Sequence, residues 1–264
     1  MRWKSHIAIA KAIGKALNLP EDMERELIEG SIDPDRFPDT TFMVGRLGRV
    51  YASRVPHHVP PIEVIMEHVW RARLAYLSGE RLHAMRSLGR ALHYIQDACL
   101  AGGFASPLHD DLESTLSSVS VPERAVREGF LIAACSPHFV ERLLENIKPE
   151  EDPKRILYRT SLYSAAVARA VLCNEGPSAE LLEEFRKAKE RHSNRILFAL
   201  GTLTLGLLGA VLVSLTYLFI GAFVAWLALK DKRYEYLKEE MEWFGPRVAI
   251  EITRRRGISP EEFR

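Results

Sequence analysis

The chain has 264 residues, and its 36 Lys and Arg against 35 Asp and Glu leave a formal net charge of +1. The length allows one large domain or two small ones, and the charge balance excludes a strong field for nucleic acid or an acidic partner. The three cysteines, Cys99, Cys135 and Cys173, are odd in number, widely spaced and set among apolar or small residues, so they suit buried thiols in a reducing compartment and argue against a disulfide frame.

At the N-terminus Arg2 and Lys4 lead into an amphipathic stretch interrupted by Lys11 and Lys15. No signal peptide is expected there, and the bulk of the chain is placed on the cytoplasmic side. Ile7, Ala10, Ile13, Ala16 and Leu17 repeat at helical spacing until Leu19-Pro20. Glu21 to Glu29 predicts a second short helix, stopped by Gly30-Ser31. Residues 31–61 hold several prolines, several Asp and two His with little periodicity, and read as a loop region of functional character. Helices are expected from Pro61 to Ser78 and from Glu80 to Cys99, with a break at Gly102-Gly103. Three more, Pro122 to Ala134, Pro137 to Ile147 and Pro153 to Cys173, carry proline near their starts, as helix N-termini prefer. Ser178 is the expected N-cap of a helix running to Arg195, and Lys230 to Phe244 reads as a charged amphipathic helix. No strand alternation, internal repeat or low-complexity tract stands out, so the expected class is all-α.

Ile196 through Leu229 contains no charged residue and no proline, and a run beyond 18 such residues reads as membrane-spanning. As one helix it would measure about 50 Å at ~1.5 Å per residue, against a hydrocarbon core of ~30 Å. Arg186, Lys187, Lys189, Arg191 and Arg195 precede it, and Lys230, Lys232, Arg233 and Lys238 follow it. Basic residues gather in cytoplasmic loops, so a hairpin returning to one side, turning near Val213-Ser214, is favoured over a single long span. The expected layout is a helical domain at 1–190, a transmembrane segment at 196–229 and a cytoplasmic amphipathic tail at 230–264.

Two His/carboxylate pairs stand at a spacing of four: His93 with Asp97, and His109 with Glu113. Residues four apart share a helix face, so each pair can aim an imidazole nitrogen and a carboxylate oxygen at one point, as a zinc ion requires. His93 sits on an otherwise apolar face with Leu92 and Ile95.

These pairs belong to a wider pattern. Arg73-Leu74-Ala75-Tyr76-Leu77-Ser78-Gly79, Leu88-Gly89-Arg90-Ala91-Leu92-His93-Tyr94-Ile95-Gln96-Asp97, then His109 and Glu113, resemble the zinc-dependent phospholipase C family, which shares its fold with the fungal zinc-dependent single-strand nucleases. The likeness extends upstream to Trp3, His6, Pro34-Asp35 and His57-His58, and so covers roughly residues 1 to 115. It implies a multi-helix phospholipase C/nuclease-like domain with a cluster of one to three zinc ions. By that resemblance Asp97 bridges two zincs and His93 binds one, Asp35 is a loop ligand, and His58, with His57 the alternative, is the next imidazole. Asp35, His58, His93 and Asp97 then complete one tetrahedral centre. His6 precedes an apolar helix as the family's N-terminal histidine does. The family's N-terminal tryptophan supplies its amine to a zinc, but Trp3 is third in this chain, so it is a weaker candidate. His109 and Glu113 match the last ligand pair. The family's further histidine, six residues after the bridging Asp, is replaced here by Gly103, which leaves the third site incomplete. Among the other histidines, His138 is the spare imidazole nearby in sequence that could substitute for it but reads first as capping or packing at a helix start, His68 and His83 are read as helix-surface residues, and His192 as part of the basic flank. Asp33 and Asp39 are candidate general bases, Asp33 the one retained.

Three functions are open from the sequence. The first is a membrane-anchored, zinc-dependent phosphodiester hydrolase acting on phospholipid headgroups. The second is a nuclease of the same fold, which the near-neutral charge and the want of an aromatic-basic groove argue against. The third is a non-catalytic membrane protein that keeps the fold and a partial metal site.

Overall fold

A computed structural model describes residues 1–44, 49–56, 60–100, 115–116 and 120–245. His57, His58, Gly103, His109 and Glu113 lie outside the described residues. The chain is mostly helical and divides into two compact units, Met1–Glu175 and Gly176–Arg264.

In the first unit, α1 (Trp3–Ala16) buries Ile9, Ala10 and Ile13 at helical spacing. α2 (Glu21–Gly30) follows, with Glu21, Asp22 and Glu24 in the first turn, where carboxylates favour the positive end of the helix dipole. A one-turn helix, α3 (Asp33–Arg36), begins with Pro34 near its start. α4 (Ile62–Leu77) starts after Pro61, and α5 (Arg81–Ala98) buries twelve of its residues, Leu88, Leu92, His93, Ile95 and Asp97 among them. α6 (Glu123–Ile132), α7 (Pro137–Glu145) and α8 (Pro153–Val171) complete the unit. Ser136 caps α7 by accepting from the Phe139 amide, and Asp152 caps α8 by accepting from that of Lys154, so each supplies a partner to an orphan N–H at a helix start.

α2 and α5 meet backbone to backbone. A Cβ at Gly30 would lie 2.2 Å from the Arg86 carbonyl oxygen, and one at Gly89 would lie 2.4 Å from that of Leu27. Only glycine permits this approach, which brings Ser31 onto the face of α5. Arg73, buried inside the unit, donates to the Val171 and Cys173 carbonyls at 2.8 and 2.6 Å. It thereby satisfies carbonyls that the end of α8 leaves without helical partners.

Two features differ from the sequence reading. The region 31–61 contains an antiparallel hairpin, β1 (Thr40–Val44) with β2 (Val50–Arg54), in register Thr40 to Arg54 through Val44 to Val50. Phe42, Val50, Tyr51, Ala52 and Arg54 are all exposed, so residues of both faces meet solvent and no alternation of apolar and polar residues betrays it. Cys135 and Cys173 form a disulfide, contrary to the expectation of free thiols. The turn before α7 and the end of α8 come together in space although 38 residues separate them in sequence. Cys99 alone is free and buried, and burial pushes its thiol up to about 12.

The second unit opens with α9 (Ala179–Leu212), capped by Ser178 accepting from the Leu181 amide. Its first half is charged and its second half apolar. Among the described residues it is the helix long and apolar enough to cross a membrane, and only 11% of its most apolar window is buried. A core helix of a soluble protein would be largely covered. A break at Val213–Leu215 leads to α10 (Thr216–Leu229), a 14-residue apolar helix. The two run antiparallel: Arg195 donates to the Lys230 carbonyl at 3.0 Å, Gly206 meets Gly221, and Gly209 meets Tyr217. Small residues at such a crossing let helix backbones approach closely. Lys230 sits 3.5 Å over the Trp226 ring. α11 (Lys232–Phe244) packs on the charged half of α9, with Arg233 paired to Glu184 and His192 stacked on Tyr234.

Candidate metal centre

α1 and α5 bring His6 and His93 together, with ring centroids 4.3 Å apart and planes inclined at 21°. Both side chains are fully buried. The tautomers follow from their partners. The Nδ1–H of His93 donates to the Ser31 carbonyl at 2.9 Å, a group that only accepts. The Nδ1–H of His6 donates to Gln96 Oε1 at 2.6 Å, while Gln96 Nε2 donates to Ser164 Oγ at 3.2 Å, which fixes the orientation of the amide. Holding Nδ1 in this way aims Nε2 and sets the tautomer, the arrangement that outer partners impose on metal-binding imidazoles.

Both Nε2 atoms face carboxylates. That of His93 is 3.2 Å from Asp97 Oδ2 and 3.8 Å from Asp35 Oδ1, and that of His6 is 3.4 Å from Asp97 Oδ1. The His6 atom is buried and makes no hydrogen bond among the described residues. Ligand atoms of His6, Asp35 and His93 all lie within 4.8 Å of one another. Burial, then the neighbouring His93, lowers the pKa of His6, and this favours the neutral imidazole that metal binding needs. Asp35 and Asp97 add carboxylates, so the group has a zinc-type donor set.

Trp3 enters in a different role from the one the resemblance implies. Its backbone nitrogen opens α1, and its indole Nε1 donates to Asp35 Oδ2 at 2.7 Å. The amine beside Asp97 Oδ1 is that of Met1.

Asp33, the candidate base, is buried and gripped by Arg86, whose Nε and Nη2 reach its two oxygens at 2.5 and 2.8 Å. That grip orients α3 and engages both carboxylate oxygens of Asp33. Asp39 anchors another network: Tyr94 donates to Oδ2 at 2.8 Å, His68 Nε2 lies 2.9 Å from the same oxygen, and Arg90 reaches Oδ1 at 2.8 Å. His68 is therefore buried inside this network, not on a helix surface. His83 is exposed, and His138 sits in the first turn of α7 near Glu141. Sequence reasoning missed Ser31, Gln96 and Ser164, because a supporting role leaves no spacing signal. Gln96, next to Asp97 on a helix that buries its neighbours, was the one visible hint.

Burial alone would raise the pKa of Asp39, but the hydrogen bonds from His68, Tyr94 and Arg90 outweigh it and hold the carboxyl far below its usual range. A depressed folded-state pKa means stability that is present above the unfolded value of about 3.9 and is lost as pH falls below it. Asp39→Asn is expected to cost about 2 kcal/mol at pH 7, and clearly less at pH 3. Denaturant titrations of both proteins at the two pH values check this, and an equal loss at pH 3 would contradict it.

No protein-family model, curated protein or solved structure matches this chain.

Proposed function

We propose that this chain is a membrane-anchored, zinc-dependent phosphodiester hydrolase, resembling phospholipase C in fold and chemistry and acting on phospholipid headgroups. The observation that carries the reading is the pair of buried imidazoles with Nδ1 tied down and Nε2 turned toward Asp97 and Asp35. With Nδ1 donating to Gln96, Nε2 of His6 carries a lone pair that finds no hydrogen bond among the described residues, which leaves it open to an ion.

His6, Asp35, His93 and Asp97 would hold the ion, with His58 or His57 and the pair His109 and Glu113 as further ligands implied by the resemblance. When bound, zinc supplies a water of pKa near ~7 and polarises the phosphoryl oxygens. The protein's own residues do the rest. Ser31 and Gln96 fix the imidazole tautomers, the Trp3 indole orients Asp35, and the buried surroundings keep bulk water from His6 and His93. Of the four central side chains Asp35 is the exposed one, at 29% against 3% or less for the others. Substrate therefore approaches from the side of Asp35 and Trp3.

The antiparallel pair α9–α10 is the membrane anchor. Its two apolar stretches measure roughly 25 and 21 Å at 1.5 Å per residue, short for a crossing, and its basic flanks lie together at one end. Both ends are assigned to the cytoplasmic side of the cell membrane on that ground. The Cys135–Cys173 bond weighs in the other direction, because such bonds persist in oxidising surroundings.

The test is turnover of a chromogenic phosphodiester by the full chain in detergent, before and after chelation. Activity lost on chelation and restored by zinc is the expected result. Bound zinc with no turnover would favour the non-catalytic alternative, which the engagement of Asp33 by Arg86 already supports. Turnover of single-stranded DNA in preference to phospholipid would favour the nuclease.

A further inference from the structure

The β1–β2 hairpin leaves large apolar side chains in solvent. Phe42, Val50, Ala52 and Arg54 share one face of the ribbon by register, and Tyr51 lies on the other. Phe42 is 77% exposed, Val50 65% and Tyr51 51%. A lone two-stranded ribbon is marginal in water, and apolar residues clustered on an uncovered element mark an interaction surface. The charge is equally one-sided. Residues 40–61 contain Arg46, Arg49 and Arg54 and no Asp or Glu, in a chain whose charges otherwise balance. Arg49 and Arg54 are exposed and have no ion pair among the described residues.

The ribbon is nonetheless firmly rooted beside the candidate metal centre. The Val55 amide donates to the Asp39 carbonyl at 2.9 Å, and the Asp39 side chain is held by His68, Tyr94 and Arg90. Just before the ribbon, α3 carries Asp35 and ends at the exposed Phe37, whose carbonyl accepts from Arg90 at 2.9 Å. Trp3, which holds Asp35, is also partly exposed and is covered on one side by the Arg36 guanidinium at 4.7 Å.

We propose that this hairpin docks on an anionic lipid surface, with Phe42 and Val50 entering the interface and Arg49 and Arg54 meeting lipid phosphates, so that the open side of the candidate metal centre faces the bilayer. Apolar and aromatic side chains interleaved with exposed arginines match the boundary between acyl chains and anionic headgroups. A single-stranded nucleic acid would instead call for a platform of stacking aromatics, and Val50 and Ala52 supply none. The proposal rests on the reading of α9–α10 as a membrane anchor. It does not depend on zinc or on catalysis.

The experiment uses the full chain, reconstituted in vesicles of phosphatidylcholine with or without about one-third phosphatidylglycerol. Ala52→Cys carries an environment-sensitive fluorophore. Cys99 is buried and its thiol resists ionisation, while Cys135 and Cys173 are bonded to each other, so labelling falls on position 52. Lys154→Cys, on the exposed start of α8, is the reference. In anionic vesicles the label at 52 is expected to be quenched by nitroxides placed shallowly in the lipid and shielded from aqueous iodide. Each Arg near such a surface contributes a factor of about five in partitioning, so Arg49→Glu with Arg54→Glu should cut the quenching at least tenfold while the label at 154 is unchanged. Chelation of zinc should not alter it.

A chain that floats with the vesicles while position 52 stays in water overturns the proposal and leaves the anchor standing. A chain that does not float sinks both. Protection of position 52 that appears only with added single-stranded DNA, or only at high protein concentration, also overturns it, in favour of a nucleic acid or a second copy of the chain.

Discussion

Replacing Gly89 by alanine is expected to lower the melting temperature of the first unit by roughly 6–12 °C. The added Cβ would stand 2.4 Å from the Leu27 carbonyl oxygen and 2.7 Å from both the Gly30 carbonyl carbon and the Ser31 nitrogen. These are backbone atoms and cannot rotate aside. Overpacking of this kind costs about 3 kcal/mol or more, and for a unit of this size each kcal/mol moves the melting point by roughly 2–4 °C. The strain falls on Ser31, whose carbonyl holds His93, so metal affinity should weaken in step. Thermal melts by circular dichroism check the first effect. A shift of less than about 2 °C would mean that α2 and α5 separate at little cost and that their contact does not set the site.

The second large effect concerns metal. Asp97 lies between the two imidazoles, with one oxygen 3.4 Å from His6 and the other 3.2 Å from His93. Asp97→Asn should remove most bound zinc, because an amide oxygen is a neutral and weaker ligand that serves both positions poorly. Gln96→Leu should cost about 10–100-fold in zinc affinity, the usual effect of losing an outer partner, since it frees the Nδ1 of His6 without touching a ligand. Competition titration with a zinc chelator measures both. Equal affinities for the two variants would contradict the roles assigned to them.

How far this could be read in advance differs by element. The helices announce themselves through apolar spacing and through Pro61, Pro122, Pro137 and Pro153 near their starts. His93 and Asp97 are legible because a spacing of four dictates a shared face. The hairpin is hidden: Thr40–Val44 and Val50–Arg54 contain strand-forming residues, but Phe42 and Val50 on one face and Tyr51 on the other are all exposed, so nothing imposes a period of two. The disulfide is hidden for another reason. Cys135 and Cys173 meet only because α8 folds back past the turn before α7, a tertiary fact that the spacing does not record. The holders of the imidazoles fall in the same category. Ser31 reaches His93 because two glycines let α2 and α5 touch, and Gln96 reaches His6 because α1 crosses α5. His68 reads as a surface residue until the loop bearing Asp39 closes over it.

The most direct test of the central claim, that His6, Asp35, His93 and Asp97 converge on one metal ion, is the absorption spectrum of cobalt loaded into the full chain in detergent. At least one cobalt per chain is expected, with the intense visible bands of tetrahedral coordination, lost in His93→Ala and displaced by zinc. A spectrum of weak octahedral bands that His93→Ala leaves unchanged would contradict it.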